Sequence, residues 1–153
     1  MPGEKKVAVL GIGNPLCRDD GAGIRVIEIM RSGGMYPHVD FIDGGTSPDL
    51  LTFLDEPVEK LVIVDALRAG GTPGLIYRLE IKEENLDKKI PDSLHGMGII
   101  HSLQLMSKLG RKLPRIVIIG IEPDNISPGL SLTSKIQESL SEVVALVEKE
   151  LNS

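Results

Sequence analysis

Three short segments, VAVLGI (7–12), LVIVDA (61–66) and IVIIGI (116–121), are apolar almost throughout and rich in β-branched residues, and each is bounded by Gly, Asp or Pro. A strand with one wet face alternates apolar and polar side chains, and these three do not. They read as strands buried on both faces, which happens in a parallel sheet covered by helices. HVDFID (38–43) is shorter and more polar, and suits a lateral strand. LIYRLEI (75–81) alternates in part and suits an edge strand, antiparallel to the rest.

Helical patterns fill the gaps. Residues 20–32 place Ile24, Ile27 and Met30 on one side, and residues 99–109 do the same with Ile99, Leu103 and Met106. Over 132–151, Leu132, Ile136, Leu140, Val143, Val147 and Leu151 recur at helical spacing. Strands alternating with helices predict an α/β domain in three layers. The 153 residues, 41% of them hydrophobic, suffice for one sizeable core, so residues 1–153 are expected to form a single domain.

The net charge of −5 and a pI near 5.2 argue against a nucleic-acid binder, which shows a basic balance or stripe. Basic pairs such as Lys5-Lys6 and Lys88-Lys89 are short and suit solvated faces. A protein or peptide partner, or a cation, fits the charge better. Cys17 is the only cysteine, so neither an internal disulfide nor a cysteine-based metal cluster can form. MPGEKKVAVL lacks the length of a signal peptide, and no apolar run approaches the roughly 20 residues of a membrane span. A cytoplasmic protein is expected.

In a doubly wound sheet, sites form outside the carboxyl ends of the strands, where the strand order reverses. GIGNPLCRDDGAG (11–23) follows the first strand, and Asp65 stands near the end of LVIVDA, the third strand in chain order, after four apolar residues. If those strands are neighbours, Asp20 and Asp65 face one crevice. The loop opens with glycines as nucleotide loops do, but Leu16 stands where a dinucleotide fingerprint needs its third glycine. Asp19 and Asp20 stand where pyrophosphate would approach, and would repel it. One of the two suits an N-cap of the following helix, which leaves the other free for catalysis or metal binding. A carboxylate at Asp65 is costly unless it is hydrogen-bonded, open to a cleft or bound to a cation. Asp43, before two glycines, suits a turn.

Of three histidines, His38 precedes a strand and suits the surface. His101 lies on or near the apolar side of its helix and suits the core or its boundary. His95, in PDSLHGMG just before that helix, suits an ordinary loop histidine, or one that the helix N-terminus keeps neutral and able to ligate a metal. Asp20, Asp65 and His95 together form a set whose oxygen and nitrogen donors suit nickel, zinc, iron or manganese. No GxSxG or serine triad pattern appears, and nothing local activates Cys17, which suits packing.

GIGNPLCRDDGAG, DGGT (43–46), LVIVDAL (61–67), SLHGMG (93–98) and GIEP (120–123), in that order over residues 7 to about 150, resemble the hydrogenase maturation proteases. These endopeptidases, aspartic-type by family convention, trim the C-terminus of the large-subunit precursor of nickel-iron hydrogenases. The resemblance implies a three-layer α/β/α sandwich, phosphorylase/hydrolase-like, with a mostly parallel five-stranded sheet and one antiparallel strand. It implies that Asp20, Asp65 and His95 are the metal-contacting positions, with Asp20 and Asp65 catalytic. It also implies that the nickel arrives in the substrate, and is recognised there rather than held as a resident cofactor. GIGNP is similar as well to the GLGNPG start of peptidyl-tRNA hydrolases. That enzyme needs a His-Asn pair soon after the loop and a basic face, and here Leu16-Cys17-Arg18-Asp19-Asp20 follows in an acidic chain. A non-enzymatic nickel- or nucleotide-binding module is the remaining alternative.

Overall fold

The computed structural model describes residues 6–46, 49–50, 57–86 and 98–153. Five strands form one sheet: β1 (Val7–Gly11), β2 (Val39–Asp43), β3 (Lys60–Ala66), β4 (Ile76–Ile81) and β5 (Arg115–Ile121). Among the described residues three α-helices accompany them, α1 (Ala22–Gly33), α2 (Ile99–Lys108) and α3 (Ser134–Leu151), with short 3-10 turns at Arg18–Gly21 and Glu83–Asn85. The strand order is β2-β1-β3-β5-β4. All pairs are parallel except β4 with β5. The three apolar runs are the three central strands, and the two more polar ones are the edges, because only an edge strand can leave part of its surface wet.

The sheet's two faces bury two separate apolar layers, which makes the three-layer α/β/α sandwich. Ala8, Leu10, Leu61, Ile63, Ile116 and Ile118 face Ile99, Leu103 and Met106 of α2. The alternate residues Val9, Val62, Val64, Val117 and Ile119 face α1 and α3, where Val26, Ile27, Ile136, Leu140, Val143 and Val147 meet them. Each full face of the sheet thus needs its own helical cover, and the period-two side-chain alternation assigns residues to faces.

The chain leaves β1 through α1 to reach β2 on one side, while β3 adds on the other. The order reverses between β1 and β3, and the carboxyl ends of those neighbours are where a crevice forms. At the opposite end of β3, Lys60 is buried and donates to the Glu150 carboxylate at 2.9 Å and to the Glu150 carbonyl at 2.7 Å, fastening the end of α3 to the sheet.

Candidate active site

The loop after β1 is held against β3 rather than in open solvent. The Ile12 amide donates to the Val64 carbonyl at 3.0 Å, one residue before Asp65. Gly23, at the start of α1, sits so close to β3 that a β-carbon there would overlap the Val64 carbonyl oxygen and come within 2.7 Å of the Ile12 carbonyl oxygen. Gly13 has φ +139°, and a β-carbon there would overlap the Asp20 carbonyl oxygen. These glycines fold the loop onto itself and onto the strand. They do not shape an anion cradle.

Asp20 is half-buried in the 3-10 turn, and one of its carboxylate oxygens accepts the Asn14 amide at 2.9 Å. Asp65 ends β3 and is 7% exposed. Burial first, and the negative charge of Asp20 second, push its carboxyl up from 3.8 to about 8, against a smaller opposing hydrogen bond from the Ala66 backbone. Asp20 and Asp65 therefore share one electrostatic site, as the neighbouring of β1 and β3 requires. A buried carboxyl that keeps its proton at neutral pH beside a second carboxylate can act in proton transfer, or can lose the proton to a cation. His95, the third member of the set, lies outside the described residues, as does most of the SLHGMG segment.

Asp19 has a different task from the one its position suggests. Neither Asp19 nor Asp20 caps α1, whose N-cap is Gly21 with no side-chain bond. Asp19 is fully buried and accepts four hydrogen bonds: from the amides of Asp124, Asn125 and Thr133 at 3.0, 2.9 and 2.8 Å, and from the Thr133 hydroxyl at 2.8 Å. Thr133 is the N-cap of α3, so the charge of Asp19 lies at the positive end of that helix. Two adjacent aspartates thus divide the work. Asp19 pins the loop 124–133, and Asp20 remains beside Asp65.

A third buried carboxylate frames the crevice and was not singled out by sequence reasoning. Glu122 follows β5 and accepts from the Ala69 and Gly71 amides at 2.9 and 2.8 Å and from the Tyr77 hydroxyl at 2.7 Å. Burial alone would raise its carboxyl, but these donors outweigh it and hold the group below the usual range. Glu122 thereby ties the loop that follows Asp65 to β4. Its signal in the sequence is the one that marked Asp65, a carboxylate placed directly after an apolar strand.

The other expectations divide. His38 is exposed, and Asp43 accepts the Gly45 amide at 2.9 Å, the turn role expected for it. Cys17 is half-buried and pairs in a one-residue parallel bridge with Gly129. His101 departs from expectation. It faces solvent on α2, because Ile99, Ile100, Leu103 and Met106 already fill the buried side of that short helix.

Comparison with known proteins agrees with this architecture. The family model for hydrogenase maturation proteases (HycI) matches residues 24–150, beginning one residue past the GIGNPLCRDDGAG loop. The hydrogenase expression/formation protein HupD of Thiocapsa roseopersicina is 31% identical over 155 residues, spanning 95% of this chain and 67% of that protein. Among solved structures, the hydrogenase 2 maturation peptidase of a Thaumarchaeota archaeon superposes with a TM-score of 0.76 at 28% identity, covering 97% of this chain and 99% of that one. The hydrogenase maturating endopeptidase HybD of E. coli gives a TM-score of 0.77 over 96% of this chain and 92% of its own, a likeness of fold at 23% identity.

Proposed function

The chain belongs to the hydrogenase maturation protease family, and from that premise we propose that it removes the C-terminal extension of the nickel-loaded large-subunit precursor of a nickel-iron hydrogenase. The observation that carries the site assignment is the pairing of Asp20 with Asp65 across the switch point between β1 and β3. In this reading Asp20, Asp65 and His95 recognise the nickel that the substrate carries. The protein acts in the cytoplasm, and no described helix is long and apolar enough to cross a membrane.

The electrostatics of the pair support such recognition. Without a cation, burial and Asp20 keep Asp65 protonated at neutral pH. A divalent metal presented by the precursor compensates both effects, and Asp65 releases its proton as it engages the metal. The ionised pair then fixes the metal-bearing end of the precursor, and with it the scissile peptide bond. Water, activated by a carboxylate of the pair or by polarisation at the metal, attacks the carbonyl carbon; the C–N bond then breaks, and the proton taken from the water goes to the nitrogen of the released extension. Asp20 and Asp65 are thus the groups behind the aspartic-type designation.

The likeness to peptidyl-tRNA hydrolases is confined to GIGNP, and Leu16-Cys17-Arg18-Asp19-Asp20 follows it in an acidic chain. The deciding experiment is an intact-mass cleavage assay on a large-subunit precursor, nickel-loaded and nickel-free, with Asp20→Ala, Asp65→Ala and His95→Ala as variants. Loss of a C-terminal peptide from the loaded precursor alone, abolished in folded Asp20 and Asp65 variants, is the expected result. Full activity of either aspartate variant would sink the site assignment. Equal cleavage of the nickel-free precursor would remove metal recognition.

A further inference from the structure

Leu16, Ile126 and Leu130 are 62%, 39% and 72% exposed, and they lie on the two loops that meet beside Asp20. Single apolar residues scattered over a surface need no explanation, but a group beside a reactive crevice marks an interaction site. The grouping is built in. The Gly129 amide donates to the Leu16 carbonyl at 2.9 Å, the Arg18 amide to the Gly129 carbonyl at 3.1 Å, and the Asp19 amide to the Asn125 carbonyl at 3.1 Å. With the Asp19 carboxylate holding residues 124, 125 and 133, the loop cannot turn inward to bury its apolar side chains.

Arg18 supplies the second observation. It has φ +49°, a left-handed backbone in a residue other than glycine. Its Nε is buried, and alone among the described residues' buried side-chain polar atoms it has no hydrogen-bond partner. The guanidinium packs against Gly129, where a β-carbon would come within 2.7 Å of Nε and Cζ. A donor left unfilled where the two loops meet at Gly129 is suited to a carbonyl that arrives with a ligand.

We propose that Leu16, Ile126, Leu130 and Arg18 form the docking subsite for the C-terminal extension that is removed from the precursor. The inference rests on the maturation-protease reading. The rim is continuous with the proposed site, since Leu16 and Asp20 belong to one folded loop. A tail can lie along it as an extended chain, with apolar side chains on the rim and a backbone carbonyl taken by the Arg18 Nε–H as the guanidinium lifts from Gly129. The folded body of a large subunit has no such freedom of path.

The test compares two nickel-loaded precursors by intact mass, one with its whole extension and one with the extension cut to a few residues past the scissile bond. For Leu16→Ser/Leu130→Ser, KM on the whole precursor should rise about tenfold or more, the effect of losing two leucine contacts. On the shortened precursor, whose KM is already raised, the same substitutions should add nothing. Arg18→Met should behave likewise, and Leu109→Ser, exposed at the end of α2, should leave KM unaltered. An unchanged KM on the whole precursor, with wild type cleaving it, overturns the subsite and leaves the function standing. An equal rise on both precursors assigns the rim to the folded body and overturns the extension as occupant. No cleavage of either precursor by wild type overturns the maturation reading, and the subsite with it.

Discussion

Replacing Asp65 by Asn should inactivate the protein and stabilise it, with a gain that depends on pH. Asp65 is 7% exposed and its carboxyl is pushed from 3.8 up to about 8, by burial and then by Asp20. In the unfolded chain the same group ionises at its ordinary value. Between the two values the folded protein binds a proton that the unfolded chain does not, so stability falls as pH rises. One such group changes stability by about 1.4 kcal/mol per pH unit. The loss begins above 3.8 and is complete past about 8. At neutral pH it amounts to on the order of 4 kcal/mol relative to a side chain that never ionises. Asn has nearly the same shape and no charge. Urea unfolding of both proteins across this range should give a stability gap near zero in acid, widening toward pH 8 and flat beyond. Within an Asp20→Asn background, where burial alone raises Asp65, the gap opened by Asp65→Asn should be smaller and should level off at lower pH. A gap independent of pH, or a variant less stable than wild type at pH 8, would refute the reasoning from burial.

Three further outcomes follow from the surrounding contacts. Asp19→Ala strands four donors and should cost about 3 kcal/mol or more in urea unfolding, with loss of cleavage because the loop carrying Asp20 loosens. Gly13→Ala, whose β-carbon would overlap the Asp20 carbonyl, should cut cleavage at least about tenfold, whereas Gly33→Ala, with nothing within 4 Å, should leave it intact. Glu150, held down to about 2 chiefly by its hydrogen bond from Arg78, with Lys60 adding to it, stabilises the fold above the ordinary glutamate value of 4.5. That stability, about 2 kcal/mol once solvent screening of the part-exposed Arg78 is allowed for, is lost as pH falls from 4.5 toward 2, so acid unfolding curves of wild type and Glu150→Gln should converge there.

The central strands were legible because continuous β-branched runs have few other uses, and their burial on both faces is what such composition demands. The two edge strands were legible for the converse reason, their admixture of polar residues. Asp65 stood out as a charge where an apolar run should continue. Its closeness to Asp20 followed only on the condition that β1 and β3 are neighbours, which the strand order meets. What local sequence could not carry is long-range hydrogen bonding. The partners of Asp19 lie 105 to 114 residues away, so a capping role was the natural local reading of a carboxylate before a helix. Glu122 reaches back 45 to 53 residues in the same way. His101 was misplaced because a short helix with four buried apolar residues has little buried surface left, and periodicity alone does not settle a boundary position.

The loop 124–133 is gripped almost wholly through its backbone. Asp19 takes the amides of residues 124, 125 and 133, and the backbone amides of Asp19 and Arg18 are anchored to carbonyls of residues 125 and 129. Its path is therefore indifferent to most of its side chains. Residues such as Ile126 and Leu130 can be exchanged without moving Asp20, so this quarter of the molecule can change what it grips while the pair at its back stays in register. Amides that lie on the surface but answer to a buried anion should also exchange hydrogen as slowly as core amides, opening only when the 3-10 turn and the start of α3 part together.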